Sequence, residues 1–79
     1  MNNVERYNKA FTETFEIKEN QLAGLEYQDI KAWDSVGHMS LIQALEETFD
    51  IMMDTDDIIA LSSYEKGKEI LTMNYGVEF

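Results

Sequence analysis

The stretch that decides the fold is Trp33-Asp34-Ser35-Val36-Gly37-His38-Met39-Ser40-Leu41-Ile42-Gln43-Ala44-Leu45-Glu46-Glu47-Thr48-Phe49. Val36, Met39, Ile42, Leu45 and Phe49 recur at spacings of three, three, three and four, and Leu41 and Ala44 widen the stripe. That is the period of an amphipathic helix, and it predicts one from about Ser35 to Phe49. Upstream, Val4, Tyr7, Phe11 and Phe15 repeat at three, four and four, with Asn2 and Glu5 placed as a capping pair. A first helix is therefore expected from about residue 3 to 15. Downstream, Asp54 to Leu61 reads as a short helix opened by acids that suit its N-terminal dipole. Ser62 and Glu65 outline a capping box that opens a last helix, ending near Asn74. Gly67 within it costs about 1 kcal/mol relative to alanine and leaves room for a neighbour to approach.

From Glu16 to Trp33 the period is lost. Ile17, Leu22, Leu25, Tyr27, Ile30 and Trp33 are apolar but irregularly spaced, as in a long loop pinned to the core by those side chains. Loops of this length are uncommon in small domains and are often functional. Strand signals are weak. The expected fold class is all-α: a four-helix bundle of three longer helices and one short helix, with a long loop between helices 1 and 2.

At 79 residues the chain is one small domain, 1–79. Its 44% hydrophobic content is too high for a disordered acidic tail. A core is possible but thin, because so small a domain buries only roughly 60% of its unfolded surface. Without cysteine there is no disulfide framework, no thiolate zinc site and no thiol nucleophile, and the single His38 cannot build a multi-histidine metal site. No metal is expected. No apolar run approaches the ~18 residues of a membrane span, and the N-terminus is polar. Membrane insertion and a signal peptide are therefore not expected, and a cytoplasmic location is the default.

The charge is −10, and it is unevenly placed. Residues 1–31 hold six acids and four bases, and residues 66–79 hold two of each. Residues 32–65 hold eight acids and no base: Asp34, Glu46, Glu47, Asp50, Asp54, Asp56, Asp57 and Glu65. Such acidity argues against nucleic acid or an anionic membrane as partner, since both reward Lys and Arg. It points to basic protein surfaces, against the plainer reading of a solvated face. Glu46 and Glu47 also oppose the negative end of their own helix dipole, with no cation three or four residues away. A local rule broken without local compensation often serves function.

A metal-binding reading and a catalytic one both fail. Asp54, Asp56, Ser62 and Glu65 fall at the first, third, ninth and twelfth positions of a calcium-binding loop, but Ile58 and Ile59 occupy the places that need a ligand and a glycine. Ser35 and His38 lie three apart and can share a helix face. A Ser–His pair without an oxyanion hole is nevertheless not a hydrolase site.

Asp34-Ser35-Val36 opening a helix, the apolar stripe after it, and Leu45-Glu46-Glu47-Thr48-Phe49-Asp50-Ile51 closing it together resemble the acyl carrier protein family. The likeness extends loosely over the whole chain, and residues 33–71 carry it. The resemblance implies a 4′-phosphopantetheine arm, taken from coenzyme A by a separate phosphopantetheinyl transferase and joined through a phosphodiester to Ser35, with Asp34 as its motif neighbour. The arm's thiol then carries acyl groups as thioesters to partner enzymes, and the protein supplies position and recognition. The resemblance further implies that acyl-loading and acyl-transferring enzymes with basic surfaces dock on Val36, Met39, Glu46 and Glu47, with Asp56 and Asp57 extending the patch, and that the chain works as a monomer and not as an enzyme.

A helix N-terminus also favours a phosphate on physical grounds; Asp34 or Ser35 is equally suited to be an ordinary N-cap. Gly37-His38-Met39-Ser40-Leu41 is similar to the serine motif of peptidyl carrier domains. In both branches of the family the serine precedes the helix-end Phe by fourteen residues, as Ser35 precedes Phe49; Ser40 precedes it by nine. Trp33 reads as the anchor of the loop, and Met52, Met53 and Met73 as adaptable core. Val36 after the serine, Gly37 in the first turn and the missing proline before the short helix depart from the family pattern and leave the pathway open. The alternatives are an aminoacyl or peptidyl carrier, and an acidic helical adaptor with no prosthetic group.

Overall fold

Helix α1 (Asn3–Phe15) starts where its capping pair places it. The Asn2 side chain accepts from the Glu5 N–H at 2.8 Å, and the Glu5 carboxylate accepts from the Asn2 N–H at 3.2 Å. It ends at Glu16, which takes a left-handed conformation. Three more helices follow in the computed structural model, which describes residues 1–79: α2 (Ser35–Phe49), α3 (Thr55–Ala60) and α4 (Tyr64–Tyr75). The chain is all-helical and has no strand. Helices α1 and α2 pack along each other most extensively.

One core joins all four segments, and aromatic rings fill much of it. Tyr7, Phe11 and Phe15 line the buried face of α1 as their spacing predicts. Trp33, fully buried, stacks on Phe15 with ring centroids 5.3 Å apart and meets Phe11 edge-on at 5.6 Å. Tyr64 of α4 meets Phe11 at 5.4 Å and Tyr7 at 5.3 Å. The Tyr7 hydroxyl donates to the Tyr64 carbonyl at 2.7 Å. Gly67 permits this approach, because a Cβ there would stand 2.0 Å from the Tyr7 hydroxyl oxygen.

The long loop is ordered by burial rather than by repeat. Leu22, Leu25 and Trp33 enter the core, and Ile17 and Ile30 pack against it. A single 3-10 turn, Glu19–Gln21, interrupts the loop; three residues are too few to leave a period in the sequence. The Tyr27 N–H donates to the Ser62 carbonyl and the Tyr64 N–H to the Leu25 carbonyl, each at 2.9 Å, so Glu26 and Ser63 form a one-pair antiparallel bridge.

That bridge corrects the expected start of the last helix. It holds Ser63 extended, and Ser63, not Ser62, caps α4 through the Lys66 N–H at 2.9 Å. Glu65 therefore stands one place too early for a capping box and turns to the Gly24 N–H at 3.5 Å.

The methionine expectation also needs correction. Only Met53 is core; Met52 is 87% exposed and Met73 is also exposed. Met52 and Met53 are adjacent in the link after α2, where the first faces solvent and the second the core. Met73 lies off the buried stripe of α4 that contains Tyr64, Gly67 and Leu71.

The uncompensated end of α2 is compensated after all, from another helix. Arg6 of α1 donates to the Thr48 carbonyl in the last turn of α2, and its guanidinium lies 5.2 Å from the centre of the Phe49 ring. A cation at that end opposes the local acids and suits the helix dipole.

Burial, then the nearby Tyr64 and Glu65, pushes the Tyr7 phenol far above its ordinary pKa. Its contribution to stability is thus complete below pH ~10 and is lost as the pH rises beyond that value. Tyr7→Phe leaves the Tyr64 carbonyl without its donor, at a cost of about 1–3 kcal/mol at neutral pH. Urea midpoints followed by Trp33 fluorescence should differ at neutral pH and converge above pH ~10, where the wild type alone has the buried Tyr7 phenol to ionise.

Candidate functional site

Ser35 is the first residue of α2, and it is exposed. Asp34 is the N-cap: its carboxylate accepts from the Gly37 N–H at 2.8 Å, and its carbonyl accepts from the His38 N–H at 2.8 Å. The capping role is thus held by Asp34 and leaves Ser35 free of it. The Ser35 hydroxyl and the N–H groups of Ser35 and Val36 make no hydrogen bond within the protein. Three donors without partners stand together at the positive end of a 15-residue helix.

The loop delivers Ser35 to this position. The Gln28 N–H donates to the Trp33 carbonyl and the Trp33 N–H to the Ile30 carbonyl, both at 3.1 Å, while the indole is anchored in the core. The loop then crosses directly over the first turn of α2. A Cβ on Gly37 would lie 1.8 Å from the Ala32 carbonyl oxygen and 3.0 Å from its carbon. Gly37 therefore trades helix propensity for this crossing.

His38 is not a base for Ser35. Its Nδ1 accepts from the Trp33 indole N–H at 2.9 Å, and its Nε2 pairs with the Ile58 carbonyl at 2.7 Å. Both nitrogens are committed to structure. Ser40, the other serine of the motif, turns its hydroxyl back to the Val36 carbonyl at 3.3 Å, inside the helix.

Ser35 lies on the rim of an open cleft of about 370 Å³ between α2 and α3. Tyr27, Met39, Ile58, Ile59 and Leu61 give it a mainly apolar lining, and Leu61 belongs to the buried core. Sequence reasoning did not single out Tyr27, Ile58, Ile59 or Leu61. The adjacent Ile58 and Ile59 inside an acidic segment were the one available signal. Ile59, at 74% exposed, and Val36, at 75%, are large apolar side chains left open to solvent, and Met39 is also exposed.

The acids divide into two kinds. Glu46 is half-buried and accepts from the Met53 N–H at 2.9 Å, which fastens the link between α2 and α3. Asp57 is half-buried and accepts from the Tyr75 hydroxyl at 2.6 Å and the Asn74 amide at 2.9 Å, which ties α3 to α4. Partial burial and then this carboxylate raise the Tyr75 phenol above its ordinary pKa. Glu47 and Asp56 are exposed; Glu47 is met only by Gln43 at 3.4 Å. The two ion pairs of the protein, Lys9–Glu13 and Lys66–Glu69, involve none of these acids.

No family model, no curated protein and no solved structure matches this chain.

The crossing at Gly37 fixes the sign of a substitution there. Helix propensity alone favours Gly37→Ala by about 1 kcal/mol. The displaced Ala32 backbone costs more, about 1–3 kcal/mol by the usual penalty of overpacking. Thermal melting should find Gly37→Ala less stable than the wild type, while Ser40→Ala stays within about 0.5 kcal/mol.

Proposed function

We propose that the chain is a carrier protein of the acyl carrier type, a four-helix bundle that bears a 4′-phosphopantetheine arm on Ser35 and is not itself an enzyme. The observation that carries this reading is the Ser35 hydroxyl: exposed, unbonded, first in a long helix and on the rim of an apolar cleft. The residues present fit the group. The free N–H groups of Ser35 and Val36 suit a phosphodiester, and the cleft suits the arm's end or its cargo. When bound, the arm supplies a thiol on which acyl groups are held as thioesters. Asp34 keeps the first turn in register through Gly37, and its carboxylate stands beside the attachment point.

The partners in this reading are a phosphopantetheinyl transferase and enzymes that load or remove cargo. Val36 and Met39 offer them apolar contact next to Ser35, and Glu47 and Asp56 offer charge to basic surfaces. Glu46 takes part with the oxygen that Met53 leaves unbonded, and Asp57, both of whose oxygens are tied to α4, adds its charge while still holding the fold. A cytoplasmic monomer belongs to the same reading. An aminoacyl or peptidyl carrier would use the same serine, and only the cargo would differ. An acidic adaptor has no use for an unbonded Ser35.

The purified protein is incubated with coenzyme A, magnesium and a broad-specificity phosphopantetheinyl transferase, and its intact mass is measured. The expected gain is one phosphopantetheine, lost in Ser35→Ala and kept in Ser40→Ala. No gain with several transferases, in a sample whose circular dichroism is that of a folded helical protein, would overturn the carrier reading and favour the adaptor.

A further inference from the structure

His38 stands in the wall of the cleft beside Ser35, and its ring is held from both sides. The Trp33 indole has only a donor to offer, so His38 Nδ1 is the acceptor between them. The imidazole proton is then on Nε2, which donates to the Ile58 carbonyl. One neutral ring therefore joins the buried anchor of the loop, the first turns of α2 and the backbone of α3. Trp33 lies nearly parallel to it at 6.2 Å, and Tyr27 meets it edge-on at 5.7 Å.

We infer that His38 is a crossbar between α2 and α3 that keeps a group carried on Ser35 in the surface cleft, so that the cargo is a compact acyl group and not a long chain laid between the helices. This rests on the carrier reading of Ser35. The cleft is near the small end of the ~300–1,000 Å³ range of small-molecule sites and has to accept part of the arm as well. None of the hollows in the molecule is an enclosed cavity waiting behind it. To pass between α2 and α3, a chain would part His38 Nε2 from the Ile58 carbonyl and leave both without a partner in a part-buried seam, a costly loss. It would next meet Trp33, Phe11 and Phe15, whose rings already touch one another. Met39, at the mouth, is flexible enough to fold over a small group.

The test loads the wild type and His38→Gln from acetyl-, butyryl-, octanoyl- and dodecanoyl-coenzyme A with a broad-specificity transferase. Intact mass, thermal melting and methyl NMR spectra are read for each. No mass gain removes the carrier reading itself, and the crossbar with it. With mass gained on Ser35, the expected wild-type result is that acetyl and butyryl loads shift the signals of Met39, Ile58 and Ile59. The longer loads should leave the methyls of Leu41, Leu45 and Leu71 in place, with a melting temperature that does not rise with chain length. In His38→Gln the melting temperature should rise with chain length as the seam opens. A wild type that melts higher with dodecanoyl than with butyryl, together with shifted Leu45 and Leu71 methyls, would overturn the inference. So would short loads that leave Met39, Ile58 and Ile59 unshifted, or a folded His38→Gln that behaves as the wild type does. If His38→Gln does not fold, the wild-type series decides by itself.

Discussion

The serine end of the molecule depends on where the Trp33 indole is held. Its ring is packed between Phe11 and Phe15 of α1, and its one polar atom is spent on His38. A buried indole of this kind is worth about 3–5 kcal/mol against alanine, a large share of the stability of so small a domain. From it the loop runs back over Gly37, α2 begins one residue beyond Asp34, and α3 is reached through His38. Ser35 is held at the start of α2 between the anchored Trp33 and the crossing at Gly37, with its side chain exposed.

The acidic half of the chain holds two kinds of carboxylate. Glu46 and Asp57 hold the connection of α2 to α3 and of α3 to α4, yet each keeps an edge toward solvent. Glu47 and Asp56 carry no such duty. A surface built this way has charges whose positions are fixed by the backbone beside others that are free to adapt. Fixed charges reward a partner of matching geometry, because little side-chain entropy is left to lose.

The helices were legible because their apolar residues keep a strict period: α1 and α2 begin and end where Asn2, Phe15, Ser35 and Phe49 place them. The Ser35 end was legible because a helix start is written locally. What was not legible came from pairings distant in sequence. The bridge between Glu26 and Ser63 moved the start of α4, and Arg6 met Thr48 across the interface of two helices. Gly37 looked like a local weakness until Ala32 was found crossing it. The cleft escaped notice because its walls come from the loop, α2 and α3, and beyond the apolar pair Ile58 and Ile59 in an acidic segment no wall residue carries a local mark of belonging there.

The ion pairs have a consequence for the solvent the protein prefers. Lys9–Glu13 and Lys66–Glu69 are exposed and weak, so ionic strength has little attraction to remove. The eight acids of residues 32–65 repel one another without a base among them. Dissolved salt screens that repulsion across the ~10 Å of a Debye length and relieves the self-repulsion of a chain at −10. Brine, which loosens proteins held by surface ion pairs, should tighten this one.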